Sequence, residues 1–126
     1  MISVVVCTYN GSARLRACLT SIICQDSCPN FEILVVDNAS TDGSGDFCRV
    51  ILSDEFATGS WQVINEPQAG LLHARIRGMK SAQYDWVLFC DDDNILLPDF
   101  LTYCEAILSQ NSEIGVLGSQ GEPKFL

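Results

Sequence analysis

The chain has 126 residues, enough for one compact domain with a real core and too few for two of ordinary size. Apolar residues make up 48% of it and charged residues 18%, without a low-complexity tract or internal repeat, which excludes a disordered chain. The formal net charge is −9 and the few Lys and Arg are scattered, which argues against nucleic-acid binding; an anionic ligand would need a metal ion or a helix N-terminus to reverse the sign locally.

Residues 2–7 are β-branched and nearly all apolar, the pattern of a strand buried on both faces of a parallel sheet. Asn10-Gly11-Ser12 breaks it, with Ser12 the expected N-cap of a helix that buries Leu15, Leu19, Ile22 and Ile23 and ends before Pro29. Residues 32–37 form a second strand, closed by a loop from Asn38 to Gly43, and a helix follows over about 45–54. Residues 61–65 read as a third strand. Gly70 then opens a helix whose expected core stripe is Leu72, Ile76 and Met79. Residues 86–90 form a fourth strand emptying into Asp91, Asp92 and Asp93. Pro98 suits the first turn of a helix carrying Phe100, Leu101, Cys104, Ile107 and Leu108, and residues 114–117 begin a fifth strand.

Such alternation implies an α/β fold: a Rossmann-like, mostly parallel sheet with helices on both faces, over one domain spanning residues 1–126. Seven cysteines (Cys7, Cys18, Cys24, Cys28, Cys48, Cys90 and Cys104) include no C-x-x-C pair and read as reduced core thiols of a cytoplasmic protein. Met1 runs straight into the first strand, so no signal peptide is expected. No apolar run approaches the ~20 residues of a membrane span, a pattern compatible with work beside the inner face of a membrane but not across it.

In parallel sheets of this kind, ligands bind beyond the carboxyl ends of the strands, where the strand order reverses. Three consecutive aspartates at such an end repel one another unless a cation lies between them. Were the backbone extended there, Asp91 and Asp93 would share one side and could hold Mg²⁺ or Mn²⁺, with phosphate and water completing the shell. The plain alternative is a solvated turn and helix-capping cluster with Asp99. Asp37 stands where doubly wound folds keep an acid facing a nucleoside, or it serves its own turn. Gly70 opens a helix whose first N–H groups favour a diphosphate, with Arg75 following; a surface ion pair is the alternative for Arg75. His73 has no visible partner. The first loop lacks G-x-G-x-x-G, which argues against a dinucleotide oxidoreductase.

Four segments, in order and spacing, together resemble the family 2 glycosyltransferases of GT-A fold: Val4-Val5-Val6-Cys7-Thr8-Tyr9-Asn10, the stretch from Glu32 through Asp37-Asn38-Ala39-Ser40 to Asp42, Ala69-Gly70-Leu71-Leu72-His73-Ala74-Arg75, and Phe89-Cys90-Asp91-Asp92-Asp93-Asn94 through Pro98-Asp99-Phe100-Leu101. The resemblance implies that Thr8, Tyr9 and Asn10 line a nucleotide pocket and that Asp37 bonds the base, usually uracil. Asp91 and Asp92 would face the ribose and diphosphate, with Asp93, aided by Asp91, on the metal, and Arg75 near the phosphates. It further implies transfer of a sugar from a UDP-sugar or similar donor to a hydroxyl of a glycan or lipid-linked acceptor, with inversion. Two positions depart from the pattern, Cys7 in place of Pro and Ile76 in place of Asn. The chain also stops at Leu126, before the family's catalytic base and acceptor segments. The expectation is therefore a truncated, weakly active donor-binding half with a tendency to self-associate through exposed apolar surface. Two competing readings are a non-catalytic nucleotide-sugar-binding module and a phosphohydrolase of the haloacid dehalogenase type, with Asp91 as nucleophile and Asp93 as acid/base.

Overall fold

The β-branched runs assemble into one four-stranded parallel sheet in the computed structural model, which describes residues 1–26 and 30–123. In chain order the elements are β1 (Ile2–Thr8), α1 (Ser12–Ile23), β2 (Phe31–Asp37), α2 (Ser44–Glu55), β3 (Ser60–Asn65), α3 (Leu71–Ser81), β4 (Trp86–Asp91) and α4 (Phe100–Gln110). The strand order is β3-β2-β1-β4, and all three pairings are parallel. From β1 the chain winds outward through β2 and β3, then crosses back to place β4 on the other side of β1. The order therefore reverses at β1, and the crevice beyond its carboxyl end is where such a sheet offers a site.

Alternation along the strands divides the core in two. Val4, Val6, Ile33 and Val35 face one way, packed with Leu15, Leu19 and Ile22 of α1, Ile51 and Leu52 of α2 and Leu101 of α4. Each such side chain, fully buried, contributes roughly 1.5–3 kcal/mol. Val5, Leu34 and Val36 face the other way, against Ala74 of α3. Helices thus cover both faces, as the alternating pattern implied. No described helix is long and apolar enough to cross a membrane.

Four local expectations are corrected. Leu72, Ile76 and Met79 are not the core face of α3: they are 67%, 38% and 53% exposed, while Ala74 and Gly78 are buried. Two residues along a helix is roughly 200° around it, so a sheet-facing Ala74 turns Leu72 and Ile76 outward. The small pair wins because it lets the helix lie close on the sheet, where a Cβ on Gly78 would collide with the Val5 side chain. Ser12 is the first helical residue, not the cap; Gly11 holds that position. Pro98 precedes α4, whose N-cap is Asp99. Residues 114–117 form no strand, and Val116 is 91% exposed, because nothing described pairs with their backbone as a fifth strand would require. The expected helix stop at Pro29, the thiol of Cys28 and the terminal Leu126 lie outside the described residues; α1 ends at Ile23, and the Cys24 N–H donates to Thr20 O.

Neither α1 nor α2 has a side-chain N-cap, since glycine stands at both positions. Asp42 serves both helices instead, accepting from the N–H of Ser12 (3.2 Å), the N–H of Ser44 (3.0 Å) and the Ser44 hydroxyl. These donors, the Ser44 hydroxyl foremost, lower its pKa from 3.8 to about 2. A depressed carboxylate stabilises the fold above its unfolded pKa and loses that contribution as pH falls through its folded one. Asp42→Asn should therefore lower the melting temperature at neutral pH, and its difference from wild type should shrink as pH falls from 3.8 to about 2. A difference that stays constant across that window in thermal melts would contradict the double-capping role.

Candidate functional site

Register brings the polar strand ends into one row. Thr8 lies opposite Asp37 and Asp37 opposite Asn65, while Cys7 lies opposite Asp91 on the other side of β1. The tips of β2 and β4 flank β1 and are thus about 9–10 Å apart, two strand spacings. They open into the crevice at the point of strand reversal.

On the β2 side, Asp37, Ala39, Ser40, Gly45, Arg49, Asn65 and Glu66 help line a cleft of ≈440 Å³. The Asp37 carboxylate accepts the Ser40 N–H at 3.1 Å and lies against Gly45, where any Cβ would crowd Oδ2. Glycine in the first turn of α2 therefore lets the helix start close to this acid. Glu66 accepts from the Gln68 N–H at 3.2 Å and pairs with Arg77 at 3.1 Å, tying the tip of β3 to α3.

The first loop is laced to the second. Asn10, at φ 49, a conformation its short polar side chain tolerates, accepts the Thr41 N–H at 2.8 Å, and its own N–H donates to Ser40 Oγ at 2.9 Å. Tyr9 is 60% exposed beside this junction. Thr8 is buried, and its hydroxyl donates to Asp92 Oδ2 at 2.7 Å. Gly70, at φ 128, is the N-cap of α3 and donates its N–H to Asn38 Oδ1 at 2.9 Å.

At the tip of β4, the extended backbone supposed for residues 91–93 gives way to a turn, in which the Asn94 N–H donates to Asp91 O at 3.0 Å. The bend separates the three side chains, leaving Asp92 to the protein and Asp91 and Asp93 to the surface. Asp92 turns inward, its side chain 13% exposed, and accepts from Arg14 Nε (3.1 Å), Arg14 Nη2 (3.0 Å) and Thr8. The bond to Asp92, and then its charge, raise the Arg14 guanidinium above its ordinary pKa. Asp91 stays 58% exposed with Arg75 Nη2 at 3.5 Å, and the Arg75 guanidinium lies over the Phe89 ring, 5.5 Å from its centroid. Asp93 is exposed and makes no side-chain hydrogen bond among the described residues.

Beneath the acids sit thiols. Cys18 and Cys90 are in contact at 4.0 Å, and the shared hydrogen bond together with burial pushes Cys18 up. Burial also raises Cys7 to about 11 and Cys48 to about 12. Cys7 and Cys48 thus stay protonated at neutral pH, which suits packing rather than ligation, while the Cys18 hydrogen bond draws Cys90 the other way, downward.

Among the described residues, no three His, Cys, Asp or Glu side chains form a self-sufficient metal site. Asp91 and Asp93 do suit a hard divalent ion that takes its remaining ligands from phosphate and water, as Mg²⁺ commonly does. The strand ends thus carry Asp37, with its cleft, on one side of β1 and Asp91, with Arg75 beside it, on the other, while Thr8 ties β1 to Asp92 and Asn10 ties the first loop to the second. Two residues lacked an assigned part in the sequence reading. Arg14 has no local signal, since its partner lies 78 positions away. Asn38, 6% exposed, links Gly70 to the Glu66 and Gln68 carbonyls at 3.1 and 2.7 Å; its place directly after Asp37 was the only hint.

Comparison with known proteins gives a consistent result. The glycosyltransferase GlyA of Streptococcus pneumoniae is 36% identical over 118 residues, covering 91% of this chain and 16% of that protein. The structure of S. aureus TarS 1-349 in complex with UDP superposes with a TM-score of 0.79 at 24% identity, covering 98% of this chain and 38% of that one. A mannosyltransferase from Pyrobaculum calidifontis, solved with GDP-Man and Mn²⁺, matches with a TM-score of 0.74 at 28% identity over 84% of this chain and 31% of that one. This chain therefore spans well under half the length of the relatives it matches. The fold is that of GT-A glycosyltransferases, and the haloacid dehalogenase alternative leaves the whole-chain match unexplained. The model of glycosyl transferase family 2 matches residues 3–123, nearly the entire sequence, and the chain belongs to that family.

Proposed function

We propose that the chain forms the donor-binding part of a transferase that moves a sugar from a UDP-sugar to an acceptor hydroxyl of a glycan or lipid-linked molecule, with inversion and with Mg²⁺ or Mn²⁺. The observation that carries this reading is the reversal of strand order at β1. It puts the Asp37 cleft at the tip of β2 and the exposed Asp91 carboxylate at the tip of β4, the two strands that flank β1. Support comes from structural relatives described with UDP, UDP-GlcNAc, and GDP-Man with Mn²⁺.

In this reading the base enters the cleft beside Asp37, whose carboxylate accepts from the base N–H while Tyr9 and Asn10 border the nucleoside. Asp93 and Asp91 would hold the divalent ion, which when bound would neutralise charge on the departing diphosphate. Arg75 is held only loosely by Asp91 at 3.5 Å, with both side chains exposed, so it can turn toward phosphate oxygens at little cost. The first turn of α3 beyond Gly70 adds unpaired N–H groups to the same side. The catalytic base is assigned to no residue of this chain.

Calorimetric titration with UDP, GDP and dTDP, each with and without Mn²⁺, tests the reading. One diphosphate should bind, and Mn²⁺ should tighten it by about tenfold or more. Binding indifferent to Mn²⁺, or no binding of any of the three, would overturn it.

A further inference from the structure

The middle acid of the three is built differently from its neighbours. Asp92 spends both carboxylate oxygens on three donors, two from Arg14 and one from the buried Thr8 hydroxyl, whereas Asp91 and Asp93 face solvent. The Arg14 contact engages both oxygens, the geometry that fixes direction as well as charge. Gly11 completes the seat, because a Cβ there would fall inside contact distance of both Asp92 Oδ2 and Thr8 Oγ1. One acid of a triple-negative run is thus neutralised from within the protein. The other two, Asp91 with Arg75 at 3.5 Å and Asp93 in solvent, stay exposed and free to meet a divalent ion.

We propose that Arg14 and Thr8 are positioning residues for the cation site. By gripping Asp92 they fix the 91–94 turn, and with it the directions of Asp91 and Asp93, while Asp92 is an anchor and not a ligand. This rests on the donor-site reading above. It assigns work to a cation on α1 that touches neither the Asp37 cleft nor the exposed acids. It also explains why a surface arginine, 46% exposed, is engaged with a carboxylate only 13% exposed.

The test is a double-mutant cycle on the protein as it stands, read as the Mn²⁺-dependent gain in nucleotide affinity by calorimetry and as bound Mn²⁺ by electron paramagnetic resonance, using UDP, GDP and dTDP as probes. Arg14→Ala should cost about tenfold of that gain, as loss of a metal's outer support does. Arg14→Lys should recover part of it, and Asp92→Asn should cost a comparable amount. The Arg14→Ala/Asp92→Asn double variant should be no worse than the weaker single. Affinity without Mn²⁺ should be unchanged in Arg14→Ala and Arg14→Lys, whereas a merely structural role for Arg14 would lower it along with the Mn²⁺-dependent gain. Should Arg14→Ala unfold the chain, Thr8→Val, which keeps the shape and removes one donor, replaces it in the cycle. If Asp92→Asn abolishes Mn²⁺ binding as fully as Asp93→Asn, or if the losses simply add, Asp92 is a ligand and the positioning role fails while the donor-site reading stands. If the wild type binds no diphosphate with Mn²⁺, the donor-site reading itself fails and the positioning role falls with it.

Discussion

Replacing Asp93 with alanine should cut Mn²⁺-dependent nucleotide binding by on the order of a hundredfold, about 2.8 kcal/mol, and leave the fold intact. The two halves of that expectation come from separate observations. Asp93 closes the β4 tip beside the strand-order reversal, and hard carboxylate oxygens are what a phosphate-bound Mg²⁺ or Mn²⁺ takes from a protein. Its side chain is exposed and makes no hydrogen bond among the described residues, so no packing or hydrogen-bond contact described in the fold is lost with it. Surface changes of that kind shift stability by less than about 0.5 kcal/mol. Removing one carboxylate should even relieve some repulsion with Asp91 and Asp92. A calorimetric titration paired with a thermal melt reads both halves together. Wild-type affinity in the variant would remove Asp93 from the metal site, whereas a lowered melting point would show a structural part that the geometry does not contain.

The four strands and their order of appearance were legible in the sequence because they depend on local pattern. Runs such as Ile33-Leu34-Val35-Val36 have few alternatives to a strand buried on both faces, and each strand ends on a polar residue at the same edge of the sheet. What the sequence hid depends on contacts between distant segments. The Leu72, Ile76 and Met79 stripe misled because apolar periodicity weighs size, while α3 docks through its smallest residues, Ala74 and Gly78. The bend at Asp92 could not be read without Arg14 and Thr8, which lie 78 and 84 positions away and draw its carboxylate inward. Residues 114–117 carry strand-forming side chains, yet a strand is a pairing, and no described neighbour offers one. Of the described thiols, Cys18, Cys48 and Cys90 are buried core groups, with burial raising Cys48 to about 12, whereas Cys24 is exposed and departs from the core reading.

The close seating of α3 should also be a fragile packing contact. Gly78 lies over Val5, whose side chain a Cβ would strike, and this face of the sheet is covered chiefly through Ala74 and Gly78. Gly78→Val should therefore destabilise the protein by about 1–3 kcal/mol, the usual cost of forcing extra methyl groups into a packed contact. Helix propensity works in the opposite direction. Gly78→Ala alone should gain about 0.8–1.0 kcal/mol in an unobstructed helix, so a neutral or unfavourable alanine variant would itself reveal the collision. The damage should extend to ligand binding, because α3 carries Gly70, tied to Asn38, and Arg75, beside Asp91, to the crevice. Lifting the helix from the sheet moves both. Met79→Ala, one residue further along and 53% exposed, is the matched control and should change stability by less than about 0.5 kcal/mol. Urea unfolding of the three variants decides the matter: a Gly78→Val protein as stable as Met79→Ala would mean that α3 does not rest on Val5, and the route by which Arg75 is brought to the β4 tip would have to be redrawn.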